Sequence, residues 1–237
     1  MTYCLAMQLD EGLLFLADTR TNAGVDDVGV VRKLHVLVAA PDRVLVLASA
    51  GNLGTTQEVL DRLGRDPTRL TSAAQLFEVA LCVGQVGQEV VAEHKQALGN
   101  ADATVSFILG GQIGDDPPDL LRIYPEGNYV RASEDRPFLQ IGETKYGKFI
   151  LELGAAARLP LAGAAKVAVT SMMSTARENV AVGPPYDLAV YRRDSFRLDQ
   201  HRIDADDPFL AEAAAIWERH LLAAIEELPP VELRSDG

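Results

Sequence analysis

The sequence predicts an α+β domain in which a pair of antiparallel sheets is packed between layers of helices. Three observations lead to this prediction. Short apolar runs occur in pairs separated by turn residues, and longer amphipathic segments also occur in pairs. The first four apolar runs, in addition, have no polar face. Strands of that kind need cover on both sides, and the paired helices would supply it.

Two hairpins open the chain. Residues 3–9 and 13–17 are apolar runs joined by an acidic turn that contains glycine. Residues 34–39 and 44–50 form the second pair, joined by a turn that contains proline and aspartate. The polar segment 18–27 between the two pairs is predicted to be a loop.

After Gly51 the hydrophobic period changes to that of helices, and groups of helices and strands then alternate. The predicted helices are 55–63, 72–98, 145–158 and 161–179, with a closing helix that carries Leu210, Ala213, Trp217, Leu221, Ala224 and Leu228 on one face. The predicted strands are 103–112, 120–125 and 128–132 between the two pairs of helices, and 187–193 before the closing helix. The sequence leaves open whether each of these two groups contains one more strand. No linker or repeat divides the chain, so one domain is expected over residues 1–237, with a flexible tail at 229–237.

The composition is that of an ordinary globular protein, with 237 residues, 48% hydrophobic and 24% charged. The 22 Lys and Arg residues against 34 Asp and Glu give a net charge of −12, which argues against nucleic acids and anionic membranes as partners. No apolar run approaches the roughly 20 residues that cross a bilayer, and no signal peptide is recognisable. We therefore expect a cytoplasmic protein. The four histidines lack metal-ligand spacing, so neither a metal nor a cofactor is expected.

The first candidate site residue is Thr2. Aminopeptidases remove Met1 when the next residue is small, and a mature Thr2 would carry a hydroxyl and a free α-amine. The reference pKa of an α-amine is about 7.7–8.0, so an appreciable neutral fraction can accept the hydroxyl proton at physiological pH. Nucleophile and general base would then belong to one residue.

Such a nucleophile needs a nearby cation and a carboxylate that orients the cation. Asp18 ends the second predicted strand, beside the start of the first, and Lys33 precedes the third. Gly51 ends the fourth strand before a helix, where free N–H groups can stabilise an oxyanion. Spacing alone leaves ordinary alternatives open, since an Asp at a strand end is usually a turn or cap residue and a Lys is usually solvated.

At these residues the sequence resembles the proteasome-type peptidases, and within them the bacterial branch called Anbu, the ancestral β subunit. The matching strings are spread over nearly the whole chain. They are DTRTNAGVD at 18–26, SAGNL at 49–53, LGGQI at 109–113, YPEGN at 124–128 and IGETKYGK at 141–148. The resemblance implies the four-layer αββα sandwich of the N-terminal nucleophile hydrolases, which agrees with the element order read independently from the residues.

The resemblance also implies roles for the four candidate residues. Thr2 would be the nucleophile and, through its amine, the general base. Lys33 would lower the effective pKa at Thr2, Asp18 would keep Lys33 charged, and the Gly51 N–H would form the oxyanion hole. The implied reaction is amide hydrolysis through an acyl-threonine ester, which water then hydrolyses.

Further positions follow from the same resemblance. Backbone near Thr21 and Gly51 would pair with an extended peptide, so substrate binding is assigned to Thr21 and Ser49. Glu143 occupies the place of a supporting serine and is expected to hydrogen-bond the Thr2 amine.

A second departure from the family pattern lies in the segment 171–175. Ser171 and Ser174 are assigned supporting roles, and Met173 stands where a supporting aspartate is expected. Loss of that carboxylate predicts weak or restricted activity.

The leading hypothesis is a self-compartmentalising threonine peptidase that acts on peptides or unfolded proteins and assembles from copies of this chain. A closed ring and an open helical turn are both compatible with the resemblance, and no unfoldase partner is identified. Two alternatives stay open: a non-catalytic assembly protein with the same fold, and an amidase that acts on a small amide. The net negative charge further predicts that cationic peptides are drawn in faster than acidic ones.

Overall fold

The structure is a computed structural model that describes residues 1–23, 27–98, 102–156 and 158–231. It contains two compact units, Met1–Ala205 and Asp206–Gly237. The strands in chain order are β1 (Tyr3–Leu9), β2 (Gly12–Asp18), β3 (Arg20–Ala23), β4 (Asp27–Val30), β5 (Leu34–Ala40), β6 (Arg43–Gly51), β7 (Val105–Ile113), β8 (Asp119–Ile123), β9 (Tyr129–Arg131), β10 (Phe138–Gly142), β11 (Tyr186–Arg192) and β12 (Leu198–Ile203). The helices are α1 (Leu53–Arg65), α2 (Thr68–Thr71), α3 (Leu76–Leu98), α4 (Lys148–Ala156), α5 (Leu161–Glu178) and α6 (Pro208–Glu226).

Ten of these strands form two five-stranded antiparallel sheets. The first sheet has the order β10-β1-β2-β11-β12, and the second has the order β5-β6-β7-β8-β9. Helix α5 packs on β1 and β2 of the first sheet with α4 beside it, whereas α1 and α3 pack on the second sheet. The predicted α+β class and the αββα layering are therefore confirmed.

Two large apolar layers, together with the buried face of α5 against β1 and β2, explain why the central strands carry no polar face. One layer lies between the two sheets, where Cys4 and Phe15 meet Val46 and Ile108. The other lies between the second sheet and its helices and includes Leu47 of β6 and Val83 of α3. Burial on both faces makes β1, β2 and β6 nearly continuous apolar runs.

The prediction of a loop at 18–27 is wrong. Strands β3 and β4 form a separate two-stranded ribbon in which Thr21 pairs with Gly29, and residues 24–26 of the segment lie outside the described residues. A short ribbon is held by backbone hydrogen bonds rather than by burial of one face, so its sequence need not show an apolar period.

Two strands that the sequence left open are present in the sheets, and one prediction about the sheets is wrong. The additional strand between the two pairs of helices, which the sequence left undecided, is β10. It pairs with β1 and forms an edge of the first sheet. The additional strand before the closing helix, which the sequence also left undecided, is β12, and it pairs with β11. The prediction that every early strand is covered on both sides is wrong for β5, an edge strand whose residues after Leu34 are half-buried or exposed.

The second unit contains helix α6. The Asp207 side chain caps its first turn by accepting the Phe209 N–H at 2.9 Å. No residue of α6 is buried, so its predicted apolar face is not packed into a core. A single domain over 1–237 stays a prediction, and most of the predicted flexible tail at 229–237 lies outside the described residues. No helix in the described part of the chain is long and apolar enough to cross a membrane.

Candidate active site

Thr2 is held between the start of β1 and the end of β10. Its carbonyl oxygen accepts the backbone N–H of Glu143 at 2.7 Å. Gly142 faces Tyr3 in the β1–β10 register and has a φ of +80°, and a Cβ on it would lie 2.0 Å from the Thr2 carbonyl oxygen. Only glycine tolerates that backbone conformation together with so close an approach. The backbone of Thr2 is thus fixed, and its side chain is half-buried.

Asp18 joins the start of the chain to a buried cation. It ends β2 and is 0% exposed. Its Oδ1 accepts the Tyr3 backbone N–H at 2.9 Å and the Lys33 ammonium at 2.8 Å, while its Oδ2 accepts the Gly183 N–H at 3.4 Å. Tyr3 directly follows Thr2, so one carboxylate oxygen links the backbone next to Thr2 with Lys33.

Lys33 lies just before β5 and is 6% exposed. Its ammonium also donates to the Arg20 carbonyl oxygen at 2.6 Å. Burial raises the pKa of the Asp18 carboxyl, and the Lys33 ammonium together with the N–H donors of Tyr3 and Gly183 opposes that rise. A buried carboxylate of this kind depends on its cation, because an unpaired charge away from water is costly.

Gly51 ends β6 with a φ of +126°. A Cβ on it would lie 2.3 Å from the Thr104 carbonyl oxygen, so the turn into α1 requires glycine. Two residues earlier, the Ser49 backbone N–H donates to the Lys33 carbonyl oxygen at 2.9 Å. The end of β6 therefore lies beside the residue that carries the buried cation.

The two positions assigned to substrate binding differ in exposure. Thr21 is half-buried on β3, whereas Ser49 is 3% exposed. The Ser49 hydroxyl lies 3.4 Å from the Lys33 carbonyl oxygen and 3.4 Å from His35 Nε2. Burial, with a smaller contribution from Arg32, lowers the pKa of His35. The Ser49 side chain is accordingly part of the interior, and its backbone N–H and carbonyl oxygen are already engaged by Lys33 and by the Cys4 thiol.

The three positions that were assigned supporting roles, Glu143, Ser171 and Ser174, differ in what their side chains contact. The Glu143 carboxylate accepts from Asn179 Nδ2 at 3.1 Å and from the Lys145 N–H at 3.4 Å, so its nearest described partners are not at Thr2. Ser171 is buried on α5 and reaches the site through Tyr3. Ser174 is half-buried one turn later, and the described hydrogen bonds include none from its side chain to the site.

A buried chain of hydrogen bonds beside Thr2 was not foreseen from the sequence. Gln140 Nε2 lies 2.6 Å from Tyr3 Oη, which lies 2.8 Å from Ser171 Oγ, which donates to the Gly147 carbonyl oxygen at 2.9 Å. Since a carbonyl only accepts, Ser171 uses its proton there, Tyr3 donates to Ser171, and Gln140 donates to Tyr3. Burial raises the pKa of Tyr3 to about 12.

The sequence signal for this hydrogen-bond network is a tyrosine in the otherwise mostly apolar strand β1, because a buried hydroxyl requires a partner. The chain fixes the ring of Tyr3 from its far end, while Asp18 fixes the backbone N–H of the same residue. Thr2 is therefore attached to a residue that is held at both ends.

Two alternatives to a threonine nucleophile are a cysteine nucleophile and a bound metal ion. Cys4 is a free thiol that is fully buried, and burial raises its pKa, so it is not an activated nucleophile. Within the described ranges, no group of three or more His, Cys, Asp or Glu side chains is arranged to hold a metal ion. What the site does offer is a hydroxyl-bearing residue next to a buried carboxylate and ammonium.

Comparisons with known proteins place these features in context. Neither the protein-family models nor the curated proteins give a match. Among solved structures, an Anbu (Gly-1) mutant from Hyphomicrobium sp. strain MC1 is 39% identical with a TM-score of 0.92, over 98% of this chain and 100% of that one. Anbu (ancestral beta-subunit) from Yersinia bercovieri is 39% identical with a TM-score of 0.91, over the same shares of the two chains.

A third structure is described as the helical assembly of the Anbu complex from Pseudomonas aeruginosa. It is 40% identical to this chain with a TM-score of 0.89, and 98% of each chain is covered. All three similarities thus extend over nearly the whole length of both chains.

Proposed function

The chain belongs to the Anbu family of proteasome-like N-terminal nucleophile hydrolases, and from this membership we propose that it is an N-terminal threonine amidohydrolase. The proposed substrates are peptides or unfolded proteins, which it cleaves inside an assembly of its own copies. No cofactor takes part in the proposed reaction.

The proposed reaction begins with removal of Met1, which is 66% exposed and so accessible to an aminopeptidase. The freed α-amine of Thr2 accepts the hydroxyl proton while Oγ attacks the substrate carbonyl carbon. The oxyanion that forms accepts the Gly51 N–H. The C–N bond then breaks, the protonated amine of Thr2 returns its proton to the leaving amine, and an acyl ester remains on Oγ. A water molecule, deprotonated by the same amine, hydrolyses the ester and restores Thr2.

One observation carries this proposal: the Asp18 oxygen that accepts the Lys33 ammonium also accepts the Tyr3 N–H, at 2.8 and 2.9 Å. A fixed ammonium near an amine disfavours a second positive charge, so Lys33 would keep the Thr2 amine neutral and able to act as a base. Both members of the pair are buried, where charges are poorly screened. Asp18 would keep Lys33 charged and in place.

The remaining assigned positions have supporting roles in the proposal. The backbone near Thr21 and Gly51 would pair with an extended substrate, and Ser49 would hold the strand end that carries Gly51. Glu143 would hold the Thr2 carbonyl through its own N–H, and Ser171 would hold the Tyr3 ring. Ser174, half-buried on α5, is kept as a supporting residue on the strength of the resemblance alone.

We further propose that copies of this chain assemble as an open helical turn. The support is the 40% identity with the protein from Pseudomonas aeruginosa whose Anbu complex forms a helical assembly. A closed ring is the alternative outcome, and sedimentation with electron microscopy would distinguish the two. The proposal places the assembly in the cytoplasm and includes neither a nucleic acid nor a membrane partner.

One observation favours a second function, a non-catalytic assembly protein. Met173 is half-buried on α5, where the family resemblance leads one to expect a supporting aspartate. Without that carboxylate the Thr2 amine would have one orienting group fewer. The same fold would then serve assembly alone.

A digest of a diverse peptide library tests these proposals against each other. We expect cleavage by the wild-type protein, retention of some activity in Thr2→Ser, and none in Thr2→Ala. Cleavage that survives Thr2→Ala would overturn the threonine mechanism. Cleavage of small amides but never of peptides would favour an amidase, and an intact assembly without any cleavage would favour the non-catalytic function.

A further inference from the structure

A cationic cavity of about 310 Å³ lies on the first unit, and Thr2 is not among its lining residues. Residues of β8, β9 and β10 line it, together with the first residue of α4. Its polar and charged lining includes Arg122, Arg131, Arg136, Gln140, Thr144 and Lys148. None of the lining residues has a carboxylate, in a protein whose net charge is −12.

Two of the four cations of the cavity already have partners. Arg131 pairs with Asp119 at 2.7 Å, and Lys148 pairs with Glu152 at 3.3 Å. Within the part of the chain that the structure describes, neither Arg122 nor Arg136 forms an ion pair. Both guanidinium groups lie instead over aromatic rings, at 4.8 Å from the ring centre of Tyr124 and 5.2 Å from that of Phe138. The cavity therefore presents two positive charges that lack an anion.

Arg122 also has an unused donor. Its Nε is buried and has no hydrogen-bond partner in the described structure. A guanidinium offers donors in a planar fork that fits a carboxylate with two hydrogen bonds, and stacking on Tyr124 orients that fork. A buried donor without a partner is unfavourable, so an oxyanion at this position would relieve a defect of the free protein.

Gln140 supplies the complementary group. It is 4% exposed, and its Oε1 has no hydrogen-bond partner in the described structure. The amide cannot be turned round, because the chain from Gln140 through Tyr3 and Ser171 to the Gly147 carbonyl requires Nε2 to donate to Tyr3. A residue that lines the cavity thus carries a buried acceptor of fixed orientation that has no N–H or O–H partner.

We propose that this cavity binds the carboxy-terminal residue of a peptide. Such a residue combines a carboxylate for Arg122 and Arg136 with an adjoining amide N–H for Gln140 Oε1. The apolar groups that line the same cavity, Val130 and Leu139, would contact its side chain. Its volume lies at the lower end of the range for small-ligand pockets, which suits one or two residues. The proposal does not rest on the catalytic function, since Thr2 does not line the cavity.

Isothermal titration calorimetry of the full-length protein tests this assignment with N-acetyl-alanyl-leucine, used as the free acid and as the C-terminal amide. Charge-assisted hydrogen bonds predict that the acid binds at least about tenfold more tightly than the amide. Arg122→Gln and Arg136→Gln should each weaken binding of the acid by about tenfold while leaving the amide nearly unchanged. Arg69→Gln, an exposed arginine on α2, is the matched control and should bind as the wild type does.

The Thr2→Ala variant separates this cavity from the proposed active site, and it should bind the acid with unchanged affinity. If Arg122→Gln does not fold, two measurements still test the proposal. They are the comparison of acid with amide on the wild type, and the affinity of Arg136→Gln for the acid. Equal affinity for acid and amide would overturn the proposal, as would absence of binding or loss of binding in Thr2→Ala alone. Binding of inorganic phosphate without binding of the peptide acid would overturn it as well.

Discussion

Asp18 Oδ1 lies 2.8 Å from Lys33 Nζ, with both side chains almost completely buried. The same oxygen holds the backbone N–H that follows Thr2. Few buried ion pairs add much net stability by themselves, since removal of two charges from water offsets their attraction. The location of this pair beside Thr2 therefore supports the proposal of chemistry at that residue.

Lys33→Met should abolish peptidase activity and lower the free energy of unfolding by about 3–5 kcal/mol, because Asp18 is left buried without its cation. The double variant Asp18→Asn, Lys33→Met should recover much of the stability but none of the activity. Urea denaturation and peptide hydrolysis, with the exposed Lys95→Met as control, measure the two effects. Full activity in the double variant would contradict the role assigned to the pair.

Gly142→Ala should remove activity by displacing Thr2. The added Cβ would lie 2.0 Å from the Thr2 carbonyl oxygen, at a φ of +80°. Gly114→Ala is the matched control, since its φ is +53° but nothing lies within 4 Å of an added Cβ. We expect the control to lose about 1 kcal/mol of stability and to keep its activity. If both variants hydrolyse peptides at the wild-type rate, Gly142 does not position Thr2.

The sequence predicted the central strands well, because burial on both faces leaves an unmistakable apolar run in β1, β2 and β6. Asp18 could be placed beside the start of β1, since the two ends of a hairpin meet, whereas its contact with Lys33 depends on how the two sheets pack together. The ribbon of β3 and β4 left no such run, because its pairing is satisfied by backbone groups.

The environment of Tyr3 was beyond sequence reasoning for a different reason. Tyr3 and Gln140 are 137 residues apart, and their contact depends on the register in which β10 pairs with β1. Register is set by the packed core as a whole, not by any local pattern. The same limit applies to Glu143, whose side chain is held by Asn179 rather than found at Thr2.

Tyr3→Phe should lower the free energy of unfolding by about 1–3 kcal/mol at neutral pH, because Gln140 Nε2 loses its acceptor. Burial raises the pKa of Tyr3 to about 12 and that of Tyr186 to about 12, from 10.0. A raised pKa means that the folded state favours the neutral phenol. Its contribution is complete below pH 10, falls by about 1.4 kcal/mol per tyrosine at pH 11, and reaches its full loss of about 3 kcal/mol only above pH 12.

Chemical denaturation at pH 8, 10 and 11 measures this loss. In Tyr3→Phe the alkaline decline should be smaller than in the wild type, with the remainder due to Tyr186. Tyr146→Phe, at a more exposed ring, should leave the decline unchanged. An identical decline in wild type and Tyr3→Phe would rule out the buried phenol at Tyr3 as its source.

Cationic peptides should be cleaved faster than acidic peptides of the same length at low salt. A net charge of −12 per chain, repeated over an assembly, attracts cations and raises their local concentration. The difference should shrink as salt is raised to about 0.15 M and beyond, where the Debye length is about 8 Å. The measurement is kcat/KM for a cationic and an acidic peptide of the same length across a series of salt concentrations. Equal values at low salt would refute the effect.

Intact mass spectrometry during turnover tests the central claim most directly. The protein is mixed with an activated N-acyl peptide substrate, quenched with acid within the first turnover, and weighed whole and after digestion. The account predicts a chain without Met1 that gains the mass of the acyl group on Thr2, and no such gain in Thr2→Ala. Quantitative retention of Met1 in protein that cleaves the substrate, or an acyl group on any other residue, would contradict it.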